Sequence, residues 1–344
     1  MLKEDARETD MDNCLNIGPS RGIAWRDMKK AYLPILAITF LAFFLLPSCQ
    51  KNEKVTAGEK KLKVVTTLFP LYDFARQIGH EKVEVNLLLP PGVESHAFEP
   101  RPADIRRIQN SDIFLFTNKF MEPWVGALLK GIDTRSLIIV DASKGITLLQ
   151  RTDNHGDEEY AHADESGNPD PHVWLDFSNA IKMVDTIAAE FIARDPQDKD
   201  YYIKNAYEFK KRLEELDKKY KDTLSRCKKR VIIHAGHFAF GYLAKRYGIE
   251  YVSAYKGFSP DAEPTPKRLV EVTKAVKKYG VKYIYYEELV APKVANVIAK
   301  ETGCGLLMLN AAHNVTREEM EGGIMFISLM EKNLENLMVG LQCQ

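Results

Sequence analysis

Three of the chain's eight histidines stand beside prolines or glycines that set the direction of the backbone: His96 in GVESHAFEP, His172 in NPDPHVWLD and His237 in HAGHFAFGYLAKRYGI. Imidazole nitrogen is a preferred donor for zinc and neighbouring first-row ions. Three imidazoles drawn from separate stretches therefore point to coordination of a metal ion. A zinc hydrolase would need an open coordination position and a positioned general base, and no HExxH run is present. His234, three residues before His237, reads as a core or supporting residue, and His80 as a turn residue. His313, in NAAHN, is placed outside the ligand set.

The elements that must carry these residues alternate between short β-rich runs and helical runs. Lys63 to Phe69, Val83 to Leu89, Asp112 to Thr117 and Ser136 to Val140 read as buried strands, with a helix at Ala103 to Gln109. A second set follows at Arg230 to His234, Glu250 to Ala254, Tyr283 to Glu287 and Leu306 to Leu309. Strands alternating with helices imply α/β lobes with mostly parallel sheets. Binding clefts of such sheets lie at the carboxyl ends of the strands, where His234, Glu287 and Asn310 fall. Between the halves, Tyr202, Ala206, Phe209, Leu213, Leu216, Tyr220 and Leu224 recur at steps of four and three. That stripe predicts one long amphipathic helix joining two lobes.

The expected organisation is an N-terminal extension at 1–27, a leader at 28–48, a polar tether at 49–60, an N-terminal lobe at 61–197, a linker helix at 198–227 and a C-terminal lobe at 228–344. Lys29 and Lys30 precede the uncharged run AYLPILAITFLAFFLLPS, which ends at Cys49. This is the pattern of a secretory signal, and Leu46-Pro47-Ser48-Cys49 reads as a lipobox with Cys49 as the acylated residue. An uncleaved anchor helix is the alternative, since the run sits at the short end of what spans a bilayer. Beyond Cys14 and Cys49, the cysteines Cys227, Cys304 and Cys343 permit one disulfide at most, in any of its pairings. Lys plus Arg equals Asp plus Glu at 48 each, so no electrostatic footprint for nucleic acid is visible.

From residue 61 to 343 the chain resembles the metal-binding lipoproteins of bacterial zinc and manganese ABC importers, the cluster A-I (cluster 9) solute-binding proteins. The resemblance rests on LFPLYDFARQIGHEKVEVNLLLPPGVESHAFEPRPADI, DPHVWLDFSNA and YIYYEELVAPKVANVIAKETG in that order. It implies two lobes on a rigid backbone helix, a metal site in the cleft between them, and His96, His172 and His237 as ligands. It also implies a carboxylate as fourth ligand. The late strand ends in Asn310 where manganese-type members carry an aspartate, whereas Glu287 matches the glutamate of zinc-type members.

The expected set is thus His96, His172, His237 and Glu287. Glu94, Asp170 and Asp176 are candidates to accept the second N–H of a ligating imidazole, with His234 and Asn310 nearby. Trp174, Phe98 and Phe240 are expected to keep water out. The acidic stretch at 153–170, with His155 and His162, reads as a solvated loop; similar insertions in zinc-type members imply an accessory zinc collector. The implied function is a non-enzymatic, monomeric receptor, lipid-anchored outside the cytoplasmic membrane, that passes Zn2+ to an ABC permease and its ATPase. The alternatives are a manganese or ferrous-iron receptor, a surface adhesin, and a secreted zinc hydrolase.

Overall fold

The computed structural model describes residues 60–150, 168–255 and 264–344. The leader, Cys49, the tether, His155 and His162 lie outside the described residues.

The first sheet is built from β1 (Leu62–Thr66), β2 (Val83–Leu87), β3 (Ile113–Phe116) and β4 (Ile138–Asp141), in the order β2-β1-β3-β4. The second is built from β5 (Val231–His234), β6 (Glu250–Ser253), β7 (Tyr283–Tyr286) and β8 (Gly305–Met308), in the order β6-β5-β7-β8. Every pairing within both sheets is parallel. The eight expected strands are all present, seven of them a little shorter than the apolar run and β8 shifted by one residue at equal length. The first run was read through to Phe69, but Phe69 already opens a helix. Central strands β3 (IFLF) and β5 (VIIH) are buried throughout, as parallel sheets covered on both faces require.

The helices of the N-terminal half are α1 (Phe69–Gly79), α2 (Pro102–Gln109), α3 (Val125–Gly131) and α4 (Phe177–Arg194). Proline in the first turn of α1 and α2 costs nothing, because that N–H has no intrahelical partner. Asp176 caps α4 by accepting the Ser178 N–H at 2.8 Å. The linker is α5 (Lys199–Leu224), 26 residues and about 39 Å long at 1.5 Å per residue. Its buried face carries the seven residues of the sequence stripe. Burying Phe209, Leu213, Leu216 and Leu224 contributes about 1.5–3 kcal/mol each.

The C-terminal half adds α6 (Gly241–Tyr247), α7 (Pro266–Tyr279), α8 (Lys293–Thr302), α9 (Arg317–Glu321) and α10 (Phe326–Gly340). Thr265 caps α7, and Thr316 with Glu319 forms a capping box on α9. The α6 residue Arg246 binds Asp217 of α5 at 2.6 Å and Asp176 at 2.8 Å, fastening the linker to both halves.

One apolar core runs through both lobes, joining α1, α4 and α5 to residues 309–315 and α10. Two smaller clusters lie on the far faces of the sheets. The segment after β8 is bound into the N-terminal lobe: Phe69 N–H donates to His313 O (3.1 Å), Gly92 N–H to Val315 O (2.8 Å) and Trp174 Nε1–H to Ala311 O (2.7 Å). Asn314 Nδ2 donates to Pro90 O and Val93 O. Cys227 and Cys343 form a disulfide and Cys304 is free. Sequence spacing alone left that pairing open.

Candidate metal centre

Parallel strands deliver their carboxyl ends to one edge, and the loops leaving those ends carry the histidines. His96 lies between β2 and α2, where the Glu94 carboxylate accepts the backbone N–H groups of His96 and Ala97, each at 2.9 Å, and shapes the turn. His172 precedes a 3-10 turn at Val173–Leu175. Asp170 accepts its backbone N–H at 2.9 Å and its ring Nδ1–H at 2.8 Å. Asn118 Nδ2 donates to Pro171 O, so the approach to His172 is held on both sides. His237 follows β5, its carbonyl accepting from the Tyr251 hydroxyl at 3.2 Å. His313 follows β8.

These four histidines, and not three with Glu287, form the ring. One nitrogen from each lies within 4.8 Å of the others. The distances between ring centroids run from 4.9 to 5.6 Å over all pairs. An ion about 2.0–2.1 Å from each of four nitrogens at tetrahedral angles, with each ring centre about 1.1 Å further out, gives an edge of about 5.2 Å. The observed spacing is that of four imidazoles already set around one tetrahedral centre. Nε2 of His96, His237 and His313 is buried with no hydrogen-bond partner, which is costly for a nitrogen unless it has a ligand to donate to.

Glu287 stands behind His237. It takes the His237 ring Nδ1–H and the His237 backbone N–H. That turns the carboxylate into the support of an imidazole and leaves Nε2 facing the centre. Glu287, expected as the fourth ligand, is thus placed behind an imidazole and outside the group of four histidines that lie together. His313, set aside on sequence, lies with the other three histidines, with Glu288 Oε1 at 3.3 Å from its Nδ1. The signal was a histidine three residues past Asn310 in a loop leaving the carboxyl end of a parallel strand.

Of the residues expected to support the ligands, Asp170 does so directly. Glu94 acts on backbone rather than on an imidazole. Asp176 caps α4 and pairs with Arg246. Asn310 braces the loop, its Oδ1 accepting the Ala312 N–H at 2.7 Å and its backbone held by Asn333. His234 is fully buried, with Nδ1 3.3 Å from the Tyr251 hydroxyl. Trp174 walls the site against His172 and His313, at 5.5 and 5.4 Å between ring centroids. Phe240 packs on His234, and Phe98 on Trp124. A cavity of about 20 Å³ between Val93, Glu94, His237, Glu288, Leu289 and His313 adjoins the ring, room for roughly one water.

Burial holds His96, His172 and His313 well below the usual histidine range, so all three are neutral and ready to donate. Burial acts the same way on His237, but the charge of Glu287 and the hydrogen bond to it outweigh burial and raise His237. Burial would raise Glu287, yet His237 pulls it to about 2. Glu288 is pushed up to about 7 by burial. The two glutamates therefore part in behaviour: Glu287 is ionised throughout, and Glu288 changes charge near neutrality.

Residues 64–340 match the family model described as zinc-uptake complex component A, periplasmic (ZnuA). The chain belongs to this family. It is 39% identical over 306 residues to the high-affinity zinc uptake system protein ZnuA of Bacillus subtilis, covering 88% of this chain and 95% of that one. It is 38% identical over 311 residues to the zinc-binding lipoprotein AdcA of Streptococcus pneumoniae, covering 90% of this chain and 60% of that longer relative. The crystal structure of the Zn(II)-bound ZnuA-like domain of pneumococcal AdcA superposes with a TM-score of 0.69 at 37% identity, covering 82% of this chain and 99% of that one. The ZnuA family consists of receptors of metal-uptake systems, in agreement with the two parallel-sheet lobes described above.

Proposed function

We propose that this chain is an extracytoplasmic receptor that captures Zn2+ with His96, His172, His237 and His313 and delivers it to an ABC permease. The observation that carries the reading is the near-regular tetrahedron of ring centroids. Four nitrogen donors at tetrahedral corners suit zinc, whereas manganese favours oxygen-rich, octahedral surroundings. The closed donor set leaves no coordination position for a reacting water, which argues against a hydrolase. Relatives named as components of zinc uptake systems support delivery to a transporter. Relatives named as lipoproteins support Cys49 as the acylated residue.

The metal-free protein titrated by calorimetry binds one Zn2+, and manganese competes only at concentrations orders of magnitude higher. Equal or tighter manganese binding overturns the assignment.

Proton release offers a second check. His96, His172 and His313 have no proton to lose at Nε2, but His237 must give one up to bind the ion, and a nearby cation drives Glu288 to ionise. Zinc uptake at about pH 6 therefore releases about two protons, and affinity falls as pH drops through the range where both groups take them up. Calorimetry in buffers of different ionisation enthalpy counts these protons. Zero release at that pH rules out the His237 and Glu288 account.

A further inference from the structure

Two consecutive residues at the end of β7 reach two different imidazoles of the ring. Glu287 accepts from His237, which comes from the loop after β5. Glu288 lies against Nδ1 of His313, from the loop after β8, and its other oxygen accepts the Ala311 N–H at 2.8 Å. Consecutive side chains of an extended strand point to opposite faces, so both can serve one site only where the chain leaves the strand. It does so here. Leu289 has φ of 60°, and Val290 N–H closes a three-residue turn onto Glu288 O at 2.7 Å. A left-handed leucine in so tight a turn is strained. Leu289 is 37% exposed, so side-chain burial does little to hold it there.

The charge balance makes the pair consequential. A ring of four neutral imidazoles leaves the full charge of a divalent ion buried, and buried charge needs a partner. Among the described residues, Asp170, Glu287 and Glu288 are the carboxylates against the outer nitrogens of the ring, and two of these three belong to one dipeptide. Movement of this one turn would withdraw two compensating charges together.

Resting on the four-histidine reading, we propose that Glu287 and Glu288 are positioning residues that act as a single clasp on His237 and His313. The turn at Leu289 closes the clasp against the strain of its left-handed leucine, and that strain sets how readily the clasp opens and the ion leaves. Leu289 and Val290 reach the surface beside Val93 at the opening over the site.

The test is the rate at which zinc leaves the loaded protein for a strong chelator, with the visible spectrum of the cobalt(II) form as a check on the ring. Glu287→Gln and Glu288→Gln each speed zinc loss by about 10- to 100-fold. The double variant falls short of the product of the two, because one unit is being broken twice. Leu289→Gly relieves the left-handed strain of the closed turn and slows loss by about tenfold, while the melting temperature of the metal-free protein holds. All four variants keep a tetrahedral cobalt spectrum, since four imidazoles remain.

A wild-type release rate in either glutamine variant, or fully multiplicative effects in the double variant, overturns the clasp. Should a glutamine variant fail to fold, Leu289→Gly decides, and a wild-type rate there overturns the proposal. Failure of the ligand reading looks different: His313→Ala would then leave the cobalt spectrum unchanged.

Discussion

Replacing His172 with alanine lowers zinc affinity by about two to three orders of magnitude. Protein zinc sites with four ligands provide roughly 10–16 kcal/mol, so one ligand is worth about 3–4 kcal/mol, and each 1.4 kcal/mol is tenfold. His172 is fully buried, so water does not readily replace it. His313→Ala is expected to be comparably damaging, because the centroid distances put His313 on the same footing as the other three. Glu287→Gln costs less, about 10- to 100-fold, as expected for a group acting through an imidazole. Chelator competition across the series reads the order. If Glu287→Gln matched His172→Ala while His313→Ala were silent, the fourth donor would be a carboxylate and the four-imidazole ring would be wrong.

Opening the Cys227–Cys343 disulfide lowers folding stability by about 4–5 kcal/mol, the chain-entropy value for a closed loop of this length. The bond joins residues 116 apart and encloses the C-terminal sheet with its helices. Around it, Lys229 N–H donates to Leu341 O at 3.0 Å, and the cysteines face each other across an isolated antiparallel bridge. The closure thus fixes the end of α10 where the linker helix hands over to β5. Because Cys227 precedes β5 whereas His237 follows its carboxyl end, Cys227→Ser with Cys343→Ser should leave zinc affinity nearly unchanged. Denaturant unfolding of the metal-free protein measures the loss. A difference below about 1 kcal/mol would mean that the bridge constrains little in the unfolded chain.

The alternation of apolar runs with helical stripes determined both sheets, all eight strands and the long linker, because strand and helix periods are local properties of the chain. Pro and Gly near His96, His172 and His237 likewise singled out three of the four histidines that the fold brings together, and Asp170 was a candidate to orient an imidazole. The fourth histidine was not local. His313 has no flanking proline or glycine, and its place depends on Phe69, Pro90, Val93 and Trp174, residues more than a hundred positions away that bind the loop after β8 into the opposite lobe. Glu287 and His313 both follow strand ends on the same edge, so either could have faced the ion. Tertiary packing separates them: Glu287 accepts the His237 ring N–H, and His313 lies with the other three imidazoles, which is what the proposed ligand set rests on. The pairing of Cys227 with Cys343 rather than Cys304 was settled in the same way, by which chain ends the folded lobe brings side by side.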